Sequence, residues 1–461
     1  MRPALSLRLG IAGWLVAVAC GVWPAAAQER VLVLEGGTLI DGTGRAPVPD
    51  AVILVEGGRI KAVGARGKVS YPATANVLRL NDRTILPGLI DGHVHLREYQ
   101  VPMFLPYGIT TIADIHNDMA WSIRQREALK SGAIKGPRLF VSGARVTGPL
   151  GEPTTDGSYV RTPEEARAYV RSLKAAGVDH VKVDLTITDD QLRAVIEEAK
   201  AAGLPVLGHT QNIRTAVDMG MKHMEHMDTM ARALLVQEGK GPRPAGTTSE
   251  AAVNPALFPA LIEYLLEHGV YVNPTLYLSW AGGTERWRDW TAAAAPLVTD
   301  PNLAFVPADV KATWTRAPGR ARAGYANVVT FLSQYSKAGG KVLAATDTGC
   351  CTQIVPGLSL HYEMQMLTDL GIMPMKAIQG ATLWSAEVIG QQRDLGSIEP
   401  GKLADFTIIE GNPLADIGVT KNIRMVIKGG EVMDTAYDPR WVNPVPRRAA
   451  GTSPAPPGTV R

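Results

Sequence analysis

The chain has 461 residues, 46% of them hydrophobic, with 47 glycines and a formal charge of +3, a size for one large domain plus a smaller one. No run of lysine or arginine marks a nucleic-acid or strongly anionic partner. Past the N-terminal segment, no stretch is long and apolar enough to span a bilayer.

Residues 1–27 read as a secretory signal. Arg2 and Arg8 form a basic start, Leu9–Trp23 is apolar, and Ala25-Ala26-Ala27 offers a cleavage site before Gln28. A membrane anchor competes, but the apolar run is short for a span of roughly 20 residues. Lipid attachment at Cys20, behind Ala17-Val18-Ala19, is a weaker alternative. The expected location is periplasmic or secreted. Losing Arg2 and Arg8 takes the formal charge from +3 to +1. The cysteines left, Cys350 and Cys351, are neighbours, where a disulfide is strained. They read as two small packed residues near the site.

Residues 28–83 hold short alternating strands, Val31–Leu34, Thr38–Ile40, Ala51–Val55, Arg59–Val63 and Ala75–Leu80, separated by glycine-rich turns. From 84 to 391, strand-like and helix-like runs alternate. The strand candidates are Thr84–Ile90, Ile109–Asp114, Arg138–Ser142, Val178–Asp184, Leu204–Gly208, Met221–Glu225, Val270–Pro274 and Lys341–Thr346. Helical patterns between them include Met119–Ser131, Pro163–Ala176, Thr188–Ala202, Pro255–His268 and Ala323–Ala338. This alternation predicts an α/β fold, a (β/α)8 TIM-like barrel. A doubly wound open sheet is the alternative, and no Gly-x-Gly-x-x-Gly follows the first strand to support it. The connection from Tyr277 to Arg322 carries Trp280, Trp287, Trp290 and Trp314 with Arg286, Arg288, Arg316, Arg320 and Arg322. It is expected to be a partial lid with short helices. Residues 392–436 return to strands: Gly396–Ile398, Asp405–Ile409, Asn422–Lys428 and Glu431–Met433. They are expected to join the N-terminal strands in one small β-sandwich. Residues 437–461 are expected to be irregular and partly mobile.

The chemistry sits at strand ends. In Asp91-Gly92-His93-Val94-His95, two histidines one residue apart point the same way and reach one metal ion. Lys182, His209, His226 and Asp347 each stand at the end of a short apolar run, where barrel enzymes carry their active groups. These six residues read as a two-metal hydrolytic centre. Mixed imidazole and carboxylate ligation suits zinc, and also manganese, cobalt or iron. Lys182 has another reading, a lysine paired with Asp184 or Asp347.

The segments Pro87-Gly88-Leu89-Ile90-Asp91-Gly92-His93-Val94-His95, Val181-Lys182-Val183, Gly208-His209-Thr210, Met224-Glu225-His226, Ala345-Thr346-Asp347 and Gly396-Ser397-Ile398-Glu399-Pro400-Gly401-Lys402-Leu403-Ala404-Asp405 resemble the amidohydrolase superfamily. The branch is that of imidazolonepropionase-like proteins and secreted prolidase-like dipeptidases. The resemblance implies that His93, His95 and Asp347 hold a more buried metal and that His209 and His226 hold a second. It also implies that Lys182, carboxylated by CO2, bridges the two. Asp347 would then serve as general base and general acid while a hydroxide shared by the ions attacks a polarised carbonyl. Relatives often associate, so a homo-oligomer is a further expectation.

Other residues have plainer readings. His116, ending the second strand, either lines the mouth or is a loop histidine. Tyr277, after the seventh strand, is a candidate donor to a substrate carboxylate or oxyanion. His180 is expected to fill the interior, His223 to face outward, His268 to suit a helix C-terminus, and His361 to cap or pack a helix. Many prolidase-like relatives carry Gly-Gly-His after the third strand; here Thr147-Gly148-Pro149-Leu150-Gly151-Glu152-Pro153 has no histidine. The functional expectation is an exported hydrolase of C–N bonds in small substrates such as dipeptides and N-acyl amino acids. The lid arginines are candidates to meet a substrate carboxylate. The alternatives are a lactone or phosphotriester hydrolase on the same centre and a non-catalytic metal- or ligand-binding protein.

Overall fold

The computed structural model describes residues 31–154, 157–240, 250–316 and 323–447. The predicted signal segment, Arg320, Arg322 and the end of the tail lie outside the described residues. Among the described residues, no helix is long and apolar enough to cross a membrane.

The N-terminal strands are β1 (Leu32–Glu35), β2 (Thr38–Leu39), β3 (Ala51–Glu56), β4 (Arg59–Ala65), β5 (Asn76–Arg79) and β6 (Arg83–Pro87). The central part begins with β7 (Leu89–Val94), β8 (Ile109–Asp114), α1 (Met119–Lys130), β9 (Arg138–Val141), α2 (Pro163–Ala176), β10 (Val181–Val183) and α3 (Asp189–Ala201). It continues with β11 (Val206–Gly208), α4 (Ile213–Asp218), β12 (His223–Glu225), α5 (Met227–Gln237), α6 (Phe258–Glu267) and β13 (Tyr271–Asn273). Then come α7 (Leu276–Trp280), α8 (Trp287–Thr299), α9 (Ala308–Lys311), α10 (Tyr325–Lys337), β14 (Lys341–Val342) and α11 (Leu358–Asp369). After α12 (Pro374–Gly380) and α13 (Leu383–Val388), the chain ends in β15 (Phe406–Glu410), β16 (Ile423–Lys428) and β17 (Glu431–Val432).

Helix boundaries follow local chemistry. Thr162 caps α2 by accepting from Glu165 N, Pro163 opens it, and Gly177 ends it in the left-handed region. Thr188 and Gln191 form a reciprocal capping box on α3.

Two sheets flank the central part, ordered β4-β3-β1-β5 and β17-β16-β15-β6-β2. Leu34, Ile53, Ile85, Phe406, Ile408 and Ile427 share one buried core between them. Both ends of the described chain therefore contribute to one hydrophobic cluster. Gly396–Ile398 is not a strand; Ile398 N donates once to Asp41 O (2.9 Å), and the side chain joins the same cluster. The run Thr84–Ile90 is divided. Arg83–Pro87 pairs with β15, whereas Leu89 N turns to Gly108 O (3.0 Å) and starts β7 beside β8.

The central strands form three parallel sets, β7-β8-β9, β10-β11 and β12-β13-β14. Val146 N donates to Lys182 O (2.8 Å), linking the first set to the second. A parallel bridge between Val94 and Thr348 links the last run to the first. With helices between the strands, this is an α/β architecture of TIM-barrel type.

The connection after β13 contains α7, α8 and α9. Trp280, Trp290 and Trp314 are buried in it. Arg286 pairs with Asp369 (2.6 Å), and the Arg288 guanidinium lies 5.7 Å from the Trp287 ring centre. Residues 437–447 are irregular, as expected, but docked. Trp121 Nε1 donates to Val445 O (2.8 Å), and the Arg447 guanidinium sits 4.4 Å from the Trp121 ring centre.

Candidate metal centre

His93 lies near the end of β7, and His95 follows it. The pairing register shifts between Asp91 and Val94, and the two rings have centroids 5.5 Å apart. Asp347 N donates to His93 O, and His95 N donates to Thr348 O, so the backbone ties the first strand to the eighth. Gly349 makes this approach feasible: its φ is +95°, and a Cβ there would stand 1.8 Å from His95 O. Gly208, at φ +128°, does the same for His209, since a Cβ would meet Val183 O at 2.2 Å. Asp91, buried beneath the histidines, accepts from Thr346 Oγ1 (2.6 Å) and Thr346 N (3.1 Å).

The six predicted residues converge. His93 Nε2 and His95 Nε2 face Asp347 Oδ1 at 3.3 and 3.0 Å, while His226 Nε2 faces Asp347 Oδ2 at 3.8 Å. His209 stacks on His226 with ring centroids 4.9 Å apart. Lys182, on β10, is buried below, and its charge helps hold the His209 imidazole neutral after burial itself.

Each of three imidazoles has its other nitrogen on an oxygen. His93 Nδ1 meets Glu225 Oε1, with the Asn273 amide nitrogen also 3.1 Å from it, His95 Nδ1 lies 3.3 Å from His116 O, and His226 Nδ1 lies 2.6 Å from Thr275 Oγ1. An oxygen acceptor at Nδ1 leaves the lone pair on Nε2, the arrangement seen around protein-bound metals.

Whether these residues fit a cation can be judged from their unpaired atoms. His93 Nε2 and Asp347 Oδ1 are buried without a hydrogen-bond partner. Ligand atoms of His93, His226 and Asp347 lie within 4.8 Å of one another. Buried polar atoms left without partners are costly, and a divalent ion between them satisfies both. The donor set fits.

Glu225 was missed by sequence reasoning. Its carboxylate, fully buried, takes the Lys182 ammonium on Oε2 and His93 on Oε1. Neither Asp184 nor Asp347 takes Lys182; Asp184 pairs with Arg145 at 3.1 Å. Burial pushes Glu225 up, but His93 and Lys182 outweigh it and hold the acid ionised. Asp347 is likewise held well below the carboxylate range by His93 and His95 against its burial. Burial opposes protonation of His93, yet Glu225 and Asp347 raise its pKa to about 9. The available signal was a glutamate inside a buried run, since such a residue is rarely buried unless paired.

The remaining candidates divide. The His116 ring is 6.0 Å from that of His95, and its Nδ1 accepts from Arg145 N (3.3 Å), placing it beside the mouth. Tyr277 is buried among Tyr362 and Trp290, with ring centroids 5.5 Å away in each case, in packing between α7 and α11. His180 is fully buried, as expected. His223 does not face outward. It shares strand parity with Glu225, is buried, and has Glu225 and Lys182 among its charged neighbours. His268 caps α6, with Nδ1 2.8 Å from Tyr264 O, and His361 lies between Thr420 Oγ1 (2.9 Å) and Tyr107 O (3.0 Å). Cys350 is exposed rather than packed and Cys351 is half-buried; their sulfurs lie 3.5 Å apart without a disulfide.

A family model described as "Amidohydrolase family" matches residues 84–433. The chain belongs to the amidohydrolase family. An adenine deaminase from Rubrobacter xylanophilus is 24% identical over 445 residues, covering 91% of this chain and 60% of its own length. The amidohydrolase chain thus spans about three fifths of that curated relative. Among solved structures, a Xaa-Pro dipeptidase with bound methionine is 23% identical with a TM-score of 0.63, covering 88% of this chain and 100% of that one. Molinate hydrolase is also 23% identical, with a TM-score of 0.67 and coverage of 88% and 95%. At that identity the two structures speak for the fold.

Proposed function

We propose that this amidohydrolase is an exported metal-dependent enzyme that hydrolyses C–N bonds of small substrates, dipeptides and N-acyl amino acids foremost. One observation carries the reading: three imidazoles turn Nε2 toward a single carboxylate, and buried His93 Nε2 and Asp347 Oδ1 have no hydrogen-bond partner. The names of the relatives, adenine deaminase and Xaa-Pro dipeptidase, agree on C–N chemistry and differ in substrate. Export rests on the first 27 residues, and the full reading includes a closed eight-stranded barrel flanked by a β-sandwich.

His93, His95 and Asp347 would hold one divalent ion, zinc by donor type, and His209 and His226 a second, with Lys182 as a carbamate between them. Bound there, such ions would supply an acidified water and polarise a carbonyl. Asp347, held ionised by His93 and His95, would accept the proton of the attacking water and hand it to the leaving nitrogen. Carboxylation of Lys182 replaces a cation with an anion, so its contact with Glu225 must then break. Glu225 retains His93 Nδ1 and keeps that ring oriented.

The test is metal analysis of the purified protein together with a panel of Xaa-Pro dipeptides, N-acyl amino acids, adenine, a lactone and a phosphotriester. Hydrolysis of an amide that vanishes on chelation and returns with zinc supports the proposal. Undiminished amide hydrolysis after complete metal removal, or turnover of the lactone or phosphotriester alone, refutes it.

A further inference from the structure

Three residues other than glycine are left-handed where the sixth, seventh and eighth central strands give way to their loops: His226 (φ 57°), Thr275 (φ 45°) and Asp347 (φ 57°). Two of them belong to the metal set. Thr275 does not, and a β-branched residue is disfavoured in this conformation. Such a backbone persists only where its surroundings enforce it.

The hydroxyl of Thr275 donates to Pro274 O at 2.9 Å and lies 2.6 Å from His226 Nδ1. A hydroxyl has one proton. With that proton on Pro274, Oγ1 can only accept from the imidazole. The neutral ring of His226 then carries its hydrogen on Nδ1 and its lone pair on Nε2, toward Asp347. The kink at Thr275 is held from behind. Glu363 on α11 accepts from the next two amides, Leu276 N at 2.8 Å on one oxygen and Tyr277 N at 2.7 Å on the other. Glu363 is fully buried; burial pushes its pKa up to about 8, while the Tyr277 and Leu276 amides, one on each oxygen, act the other way and favour the carboxylate.

We propose that Thr275 is a positioning residue that fixes the tautomer of His226, and that Glu363 holds Thr275 in the turn this contact requires. The metal consequence rests on the function proposed above; the tautomer itself does not.

The experiment is 15N NMR of the histidine-labelled, metal-stripped full chain at neutral pH, followed by chelator competition on the metal-loaded protein. In the wild type, His226 is expected as the Nδ1–H tautomer. Thr275→Val should shift it toward Nε2–H and weaken retention of one ion by about 10–100-fold. Thr275→Ser should restore both readouts. Glu363→Gln, which sets an amide donor against one backbone N–H, should move them in the same direction as Thr275→Val. An Nε2–H tautomer in the wild type overturns the proposal, and so does an unchanged tautomer in folded Thr275→Val. If Thr275→Val does not fold, the wild-type tautomer and the Thr275→Ser spectrum still decide. A tautomer shift in a protein that binds no metal upholds the role of Thr275 and sinks the metal reading alone.

Discussion

Lys182 and Glu225 form an ion pair in the floor of the candidate metal centre, with side chains 1% and 0% exposed. The pair joins two neighbouring β-sets, since Lys182 lies on β10 and Glu225 on β12. The same carboxylate meets His93, so the lysine and a candidate ligand histidine share one counter-charge.

Glu225→Gln keeps the shape and removes that charge. Breaking a buried pair by deleting one partner typically costs 3–5 kcal/mol. The metal-free variant is expected to lose about that much unfolding free energy, to unfold at lower urea and to bind metal more weakly. Urea unfolding of matched metal-free samples checks this. A midpoint equal to that of the wild type would remove Glu225 as the counter-charge.

Much of this cluster was legible because its histidines and Asp347 stand at the ends of apolar runs, and a run's end can be read without knowing the fold. Glu225 was not. Period-two alternation from His226 predicts that Glu225 points away, but the left-handed backbone of His226 turns consecutive residues toward the same side. His223 was misread for the same reason. Capped helices such as Pro163–Ala176 were legible because Thr162 and Gly177 mark both ends. The division of Thr84–Ile90 was not, since an apolar run does not say which neighbour each residue will bond. Composition likewise hid the docking of Val445 and Arg447 on Trp121, because a loop's long-range partners leave no local pattern.

Lys182→Ala leaves Glu225 with His93 but without its ammonium, and it removes the nitrogen that a carbamate needs. Metal content and activity are both expected to fall. Short carboxylic acids such as acetate should restore part of each by supplying the missing oxygen ligand. Metal analysis and rates with and without the acid measure this. Full activity without rescue would take Lys182 out of the mechanism.

Asp347→Asn retains an oxygen toward His93 and His95 but cannot accept a proton as the carboxylate does. Losses of about 10²–10⁴ in kcat are typical for such a group, and much of the metal should remain bound. An unchanged kcat would assign proton transfer to another residue.

Acid sensitivity provides a test away from the metals. Burial pushes His361 down from 6.5 to about 4, although its bond to Tyr107 O acts the other way. The unfolded chain therefore takes up this proton at higher pH than the folded one. The sign follows: stability is intact above pH 6.5 and is lost as pH falls toward 4. Across the whole window the loss from this residue is about 3 kcal/mol. His361→Gln keeps a polar group between Thr420 and Tyr107 but does not titrate. It should start less stable at neutral pH and decline less between pH 6.5 and 4. Urea midpoints for both proteins across that range measure the difference. Parallel curves would mean that His361 keeps its ordinary affinity for protons inside the fold. A narrowing gap would place one acid-labile point on α11, the helix that also carries Glu363.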